Sequence, residues 1–286
     1  MGLSTFSIIA ADPQSGEVGV AVQSKFLCVG AVVPWARGGI GAVATQASAE
    51  TSFGPRGLEL LQQGYAPGDV IEALLSTDES PASRQFAVID NHGRVASHTG
   101  GECFEHAGSL TGVGYACQGN LLATANVVPA MAHAFESASD LRLAERMIAA
   151  LQAGQQAGGD RRGQESAALL VVKPGGGYGG KNDRYIDLRV DHHDRPIDEL
   201  EALLGLHRLY FDRPSASEIV AVDAALESEI ALMLALLGKQ SSEQRLWRDL
   251  EDYMSWENLE ERWVGAGFVD QRVLAYLREH AAGQRR

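Results

Sequence analysis

Phe6-Ser-Ile-Ile-Ala-Ala11, Asp12-Pro-Gln-Ser-Gly16 and Val18-Gly-Val-Ala-Val-Gln-Ser24 read together as a hairpin, two β-rich runs about a Pro/Gly turn. Working outward, strand-like runs follow at 29–33, 40–45, 85–90 and 94–98, punctuated by Gly38-Gly39 and Asn91-His92-Gly93. Leu58, Leu61, Val70, Ile71, Leu74 and Leu75 have helical spacing in two short helices broken at Gly64 to Gly68. Two longer helices are expected between Leu121 and Ala157, the second with Asp140 as N-cap and an end at Gly158-Gly159. Strands return at 166–172 and 185–191 around the glycine-rich stretch 175–180, and a helix from Ile197 to Phe211 closes this part. Groups of strands alternate with groups of helices, unlike the strict alternation of a doubly wound parallel fold, so the expected class is α+β with antiparallel sheets and helices outside. Beyond Asp212-Arg-Pro-Ser215 every candidate element is helical: 216–238, 243–254 and 269–282. The chain therefore divides, on this reading, into a domain at 1–214 and a small all-α domain at 215–286.

The chain has 286 residues, 45% apolar and 21% charged, which excludes disordered, fibrous and coiled-coil classes. Its net charge of -13 repels phosphate backbones and anionic membranes, so neither nucleic acid nor membrane is an expected partner. Cys28, Cys103 and Cys117 are far apart and form no CxxC pair, which points to a reducing compartment and away from a cysteine metal site. With no long apolar run and no basic patch ahead of an apolar stretch, neither a spanning helix nor a signal peptide is expected, and the location is read as cytoplasmic.

The chain has no GxSxG elbow, HExxH pair or Walker loop. Asp191-His192-His193-Asp194 is read as a solvated turn, and Gly175 to Gly180 as a hairpin turn; no metal and no cofactor are expected. What remains is an arrangement at the N-terminus. Ser4, Thr5 and Ser7 begin the first strand, and a hydroxyl at a chain start can use its own α-amine as general base, whose pKa of about 7.7–8.0 suits proton abstraction at neutral pH. The plain alternative is a strand that opens with small polar residues.

Thr5-Phe-Ser-Ile-Ile-Ala-Ala-Asp-Pro13, Gly19-Val-Ala-Val-Gln-Ser-Lys-Phe26, Gly30-Ala-Val-Val-Pro-Trp-Ala36, Gly41-Ala-Val-Ala-Thr-Gln-Ala47 and Gly54-Pro-Arg-Gly-Leu-Glu-Leu-Leu61 closely resemble the Ntn-hydrolase-like family known as domain of unknown function 1028. Gly114-Tyr-Ala-Cys-Gln-Gly-Asn120, Gly158-Gly-Asp-Arg-Arg-Gly-Gln164, Ser166-Ala-Ala-Leu-Leu-Val-Val172 and Asn182-Asp-Arg-Tyr185 continue the likeness, which covers about residues 5–211. The resemblance implies a four-layer αββα sandwich and, less directly, amide-bond chemistry with Thr5 as nucleophile. In the family it resembles, many members begin Met-Thr-Phe-Ser, whereas Gly2, Leu3 and Ser4 precede Thr5 here, so a free Thr5 amine requires cleavage of the Ser4–Thr5 bond.

Carried across, the resemblance brings Ser24 and Lys25, at the end of the second strand, beside Thr5: the lysine to lower the nucleophile's pKa and the serine to orient it, unless Lys25 is simply a solvated strand end. Thr45 and Gln46 end another strand and are candidate substrate contacts. Gln118, Gly119 and Asn120, expected where a strand turns into a helix, form the candidate oxyanion region, with an Asn N-cap as the structural alternative. Asp160, Arg161 and Arg162 pack opposed charges before an apolar strand, where two arginines can clamp a carboxylate or merely pair on the surface; Asp183 ranks lower. The expected ligand is thus a small acidic amide or ureido compound, the alternatives being a peptide substrate or a catalytically silent binding protein. Trp256-Glu-Asn-Leu-Glu-Glu-Arg-Trp263 and Phe268-Val-Asp-Gln-Arg-Val-Leu274 resemble the peptidoglycan-binding-like domain that accompanies this family, read here as a helical interaction or oligomerisation unit through which homo-oligomers are expected, with muropeptide fragments as the alternative ligand.

Overall fold

The small and β-branched residues on either side of the Pro13–Gly16 turn have no helical period, and they form the expected hairpin: β1 (Thr5–Asp12) pairs antiparallel with β2 (Glu17–Ser24). The computed structural model describes residues 5–239 and 245–283, so Ser4 lies outside the described residues. Within them follow β3 (Pro34–Arg37), β4 (Gly41–Ala47), α1 (Phe53–Gln62), α2 (Pro67–Leu75), β5 (Arg84–Asp90), β6 (Val95–Thr99), β7 (Gly108–Gly112), β8 (Tyr115–Asn120), α3 (Val127–Ser137), α4 (Leu143–Gln156), β9 (Ser166–Val172), β10 (Arg184–Val190) and α5 (Pro196–Phe211). The first hairpin sits at the centre of a six-stranded antiparallel sheet ordered β10-β9-β2-β1-β8-β7, and a second sheet runs β3-β4-β5-β6.

Alternation decides which faces meet. Ile9 and Ala11 of β1 and Val18, Val20 and Val22 of β2 join Ala42, Ala44, Ala87 and Ile89 of the other sheet in one buried apolar cluster, so these faces oppose each other. The reverse face of the four-stranded sheet, with Val43, Phe86 and Val88, packs on Phe53, Leu58, Leu61, Val70 and Leu74 of α1 and α2. On the reverse face of the six-stranded sheet lies α4, whose Gly154 lets the helix approach closely: a Cβ there would stand 2.8 Å from Met131 Cγ and 3.1 Å from the Phe6 ring.

Three local expectations are corrected. Residues 29–33 form a single 3-10 turn at 29–31 rather than a strand, because Cys28 is left-handed (φ 57) and Gly30 sits against β9; Val29 and Val33 are buried all the same, so a buried turn carried the apolar signal of a strand. Helix α3 begins at Val127, not near Leu121, and α4 begins after Arg142 rather than at Asp140. The C-terminal part is not all helical. Beside α6 (Ala224–Leu236), α7 (Leu246–Trp256) and α8 (Gln271–Ala281) it holds a short antiparallel ribbon, β11 (Ile219–Ala221) with β12 (Phe268–Asp270).

The chain divides into compact units at residues 1–202 and 203–286. That division falls within α5, ahead of the sequence boundary at 214, because Leu209 belongs to the apolar cluster of Leu234, Leu250, Tyr253, Val273 and Leu277. In the second unit Arg262 is fully buried, donating to the Leu209 and Arg208 carbonyls at 2.8 Å each and to the Asp270 carboxylate. Among the described residues no helix is long and apolar enough to cross a membrane.

Candidate functional site

Register places four polar residues in one row across the large sheet. Asn120 of β8 lies opposite Thr5 of β1, Thr5 opposite Ser24 of β2, and Ser24 opposite Ser166 of β9. Thr5 and Ser7 share the face of Ile9, so the row looks toward the other sheet, where apolar packing would otherwise continue. All four residues are buried, and Thr5 Oγ1 donates to Ser24 Oγ at 3.1 Å.

Amide side chains fill the space between the sheets at this end. Ser7 donates to Gln46 Oε1 at 2.6 Å; Gln46 Nε2 donates to the Thr5 carbonyl at 3.3 Å and to Gln85 Oε1 at 2.8 Å. Asn120 Nδ2 donates to the same Gln85 oxygen at 2.9 Å, while Gln85 Nε2 reaches the Gly119 carbonyl at 2.8 Å and Thr99 Oγ1 at 3.0 Å. Gln118 Nε2 bonds the Ala44 carbonyl at 2.9 Å, and its Oε1 is buried without a partner among the described residues. Gln85 therefore fixes the orientation of both Gln46 and Asn120, a rigid uncharged network in a low-dielectric layer.

The backbone leaves this end under strain. Ala47 (φ 64) follows Gln46 and Leu121 (φ 50) follows Asn120, while Cys28 (φ 57) lies just past the end of β2. Non-glycine residues held left-handed cost on the order of 1–3 kcal/mol each and gather where geometry is over-determined, functional sites among them. Because Leu121 turns the chain out of β8 and α3 starts only at Val127, Asn120 has no helix N-terminus behind it; it is neither an N-cap nor backed by a terminal row of N–H groups.

The other residues singled out from the sequence are placed differently. Thr45 is buried but, one residue from Gln46, lies on the strand face turned to α1, with Oγ1 at 3.4 Å from the Glu50 carbonyl. Lys25 is directed along the surface: Nζ donates to Glu165 Oε2 at 2.8 Å and to the Gln164 carbonyl at 3.0 Å. Asp160, buried, accepts the Lys25 N–H and the Arg162 N–H at 2.9 Å each and pairs with the Arg162 guanidinium at 3.1 Å. Arg162 is thus engaged by Asp160, and Arg161 stands 3.5 Å from Glu105 on the exposed side. Asp183 accepts the Gly38 N–H at 2.7 Å beside the β9–β10 turn; β9 runs from Ser166 to Val172, so Asp183 is at the far end of the sheet, about 20 Å along the strand at 3.3 Å per residue.

Gln85 and Ser166 were not singled out from the sequence. Their signal was a lone amide or hydroxyl opening an otherwise apolar strand, Gln85-Phe-Ala-Val-Ile89 and Ser166-Ala-Ala-Leu-Leu170. Glu165 was missed as well: hydrogen bonds from Lys25 and then His192 hold its carboxyl below the usual carboxylate range. His192, of the Asp191–Asp194 turn, is therefore a partner of Glu165. Among the described residues no group of three or more His, Cys, Asp or Glu is placed to hold a metal ion.

Comparison with known proteins agrees with the layout. A Silicibacter pomeroyi protein of the family DUF1028, solved by crystallography, shares 38% identity, covers 72% of this chain and 86% of its own, and superposes with a TM-score of 0.65. An ancestral β-subunit (Anbu) from Yersinia bercovieri is far more remote, at 11% identity and a TM-score of 0.35 over 74% of this chain and 99% of its own. No protein in the curated set matches. Residues 210–277 match the model described as "Putative peptidoglycan binding domain". Residues 5–200, which carry the whole polar row, match the model "Family of unknown function (DUF1028)", and the chain belongs to that family.

Proposed function

We propose that the first unit is a four-layer αββα sandwich of the N-terminal-nucleophile type, and that it cleaves the C–N bond of a small amide or ureido compound with Thr5 as nucleophile. The observation that carries this reading is the position of Thr5, first residue of a central strand, its hydroxyl on Ser24 Oγ and its other neighbour Asn120 oriented by Gln85. After hydrolysis of the Ser4–Thr5 bond, the Thr5 hydroxyl adds to the substrate carbonyl and its proton passes to the Thr5 α-amine. The Asn120 amide faces the developing oxyanion. Collapse expels the amine, which takes that proton, and water then hydrolyses the Thr5 ester. Since Asp160 holds the Arg162 guanidinium, an acidic group on the substrate would rely on Arg161. The second unit serves in this reading as a self-association module that is not needed for the chemistry.

The deciding experiment is intact mass spectrometry of the protein from its native host. A mature chain beginning at Thr5 supports the hydrolase. A chain that keeps the residues before Thr5 supports the second reading, a ligand-binding protein without turnover, which the complete burial of Thr5 favours.

A further inference from the structure

Helix α6 is apolar on two opposite sides. Ile230, Met233 and Leu234 belong to the buried cluster of the second unit, and Leu226 and Leu237 pack against it. On the other side Ala225, Leu232, Ala235 and Leu236 are exposed, Leu232 by 62% and Leu236 by 65%. Positions 225, 229, 232 and 236 recur at the alternating spacing of a seam between two helices. From Ile230 to Gly238 the chain carries no charged residue. The apolar surface continues onto α7, because Lys239 Nζ lies 5.3 Å from the ring centre of Trp256, itself 76% exposed. One apolar stripe joins a helix to its own core; a second stripe calls for a second body.

The charges at the two ends of the exposed stripe select that body. Glu229 stands at its N-terminal end, held by Arg278 at 2.7 Å, and Lys239 follows its C-terminal end, where Gly238 (φ 76) has closed the helix. An antiparallel pair of α6 helices, related by a two-fold axis at the level of Leu234, sets Leu232 of each copy against Leu236 of the other and brings Glu229 of each near Lys239 of the other. A parallel pair would set like charge against like. Ala235, beside the seam, lets the two helix axes approach. The stripe is therefore complementary to itself in one orientation.

We propose that α6 is a homodimer contact, packing antiparallel on α6 of a second copy of this chain with the two Trp256 rings at its edges. This names the surface of the self-association module proposed above and rests on that reading. One helix face and a tryptophan on each copy fall below the ~1,200 Å² of stable interfaces, so the dimer is a reversible one that dissociates at micromolar concentration.

Sedimentation velocity of the full chain over about 1–100 µM tests it. The expected result is a monomer–dimer equilibrium in the wild type and a monomer throughout in Leu232→Glu, whose melting temperature stays within a few degrees because the site is exposed. Lys239→Glu and Glu229→Lys should each weaken the dimer by about tenfold, and mixing the two variant proteins should restore it, since their heterodimer regains an opposite charge at both ends. A wild type that stays monomeric at every concentration, its stripe left to another ligand such as a muropeptide, overturns this contact and the self-association reading together. A dimer that persists in Leu232→Glu overturns the contact alone and moves self-association to another face. Should Leu232→Glu fail to fold, the charge variants decide: a mixture that associates no better than either variant by itself overturns the antiparallel pairing.

Discussion

The space between the two sheets has two ends that share the same strands and the same faces yet are filled by opposite chemistry. Toward the β1–β2 turn, Ile9, Ala11, Val18, Val20, Ala42 and Ile89 form an apolar layer; toward the start of β1, Thr5, Ser7, Gln46, Gln85, Gln118 and Asn120 form a polar one. Both are buried, so burial alone does not tell core from site. The difference is cost: the apolar end stabilises by removing area from water, whereas the polar end must find a partner for every amide.

Breaking either end should give opposite signatures. The largest effect is expected at Thr5: Thr5→Ala abolishes turnover under the hydrolase reading while shifting stability little, because Ser24 keeps neighbours; steady-state assays beside thermal melts read both quantities. In the apolar end Ile9→Ala should cost about 2–5 kcal/mol by denaturant unfolding and leave turnover per folded molecule unchanged. Gln85→Leu lies between the two. It removes the acceptor shared by Asn120 Nδ2 and Gln46 Nε2 and the side-chain donor to the Gly119 carbonyl, each lost bond worth about 0.5–1.5 kcal/mol, and it should lower turnover as well. A Gln85→Leu protein as stable and active as wild type would dissolve the distinction between the ends.

Of this contrast, the sequence carried the antiparallel sheets and most of the polar residues. Hairpin periodicity gave β1 and β2, and grouped elements gave antiparallel sheets, because a period of two and a turn signal are local properties. Ser24, Gln46, Gln118 and Asn120 were named, but Gln85 and Ser166 were not, since their partners come from strands distant in sequence and only register reveals them. Thr45 and Asp183 were named and stand elsewhere, on the wrong face and at the wrong end. The left-handed Leu121 also has no local signal, and it displaced the expected helix start by several residues.

The smallest effects belong to the rim. Lys25→Ala removes an exposed ion pair with Glu165 and should cost less than about 1 kcal/mol, weakening further with salt. A drop in turnover by about two orders of magnitude would instead give Lys25 a part in the reaction, the size expected of a proton-transfer group. Glu165 has a lowered pKa in the fold, so its contribution to stability is present above the ordinary glutamate value of about 4.3 and fades as pH falls through the folded value. The melting-temperature gap between wild type and Glu165→Gln should accordingly close on acidification; a gap that widens would contradict the pairing with Lys25 and His192.

Asp160 ties two distant stretches of backbone with one carboxylate, since the amides of Lys25 and Arg162 both end on it. Amides past the end of a strand ordinarily trade their hydrogens with water quickly. These two are held by a buried acceptor, so in deuterated solvent they should exchange slowly and at matched rates, opening only when the carboxylate lets go of both. The pair would act as a clock on the rim of the polar layer, timing how often the stretch after β2 and the loop before β9 part from each other.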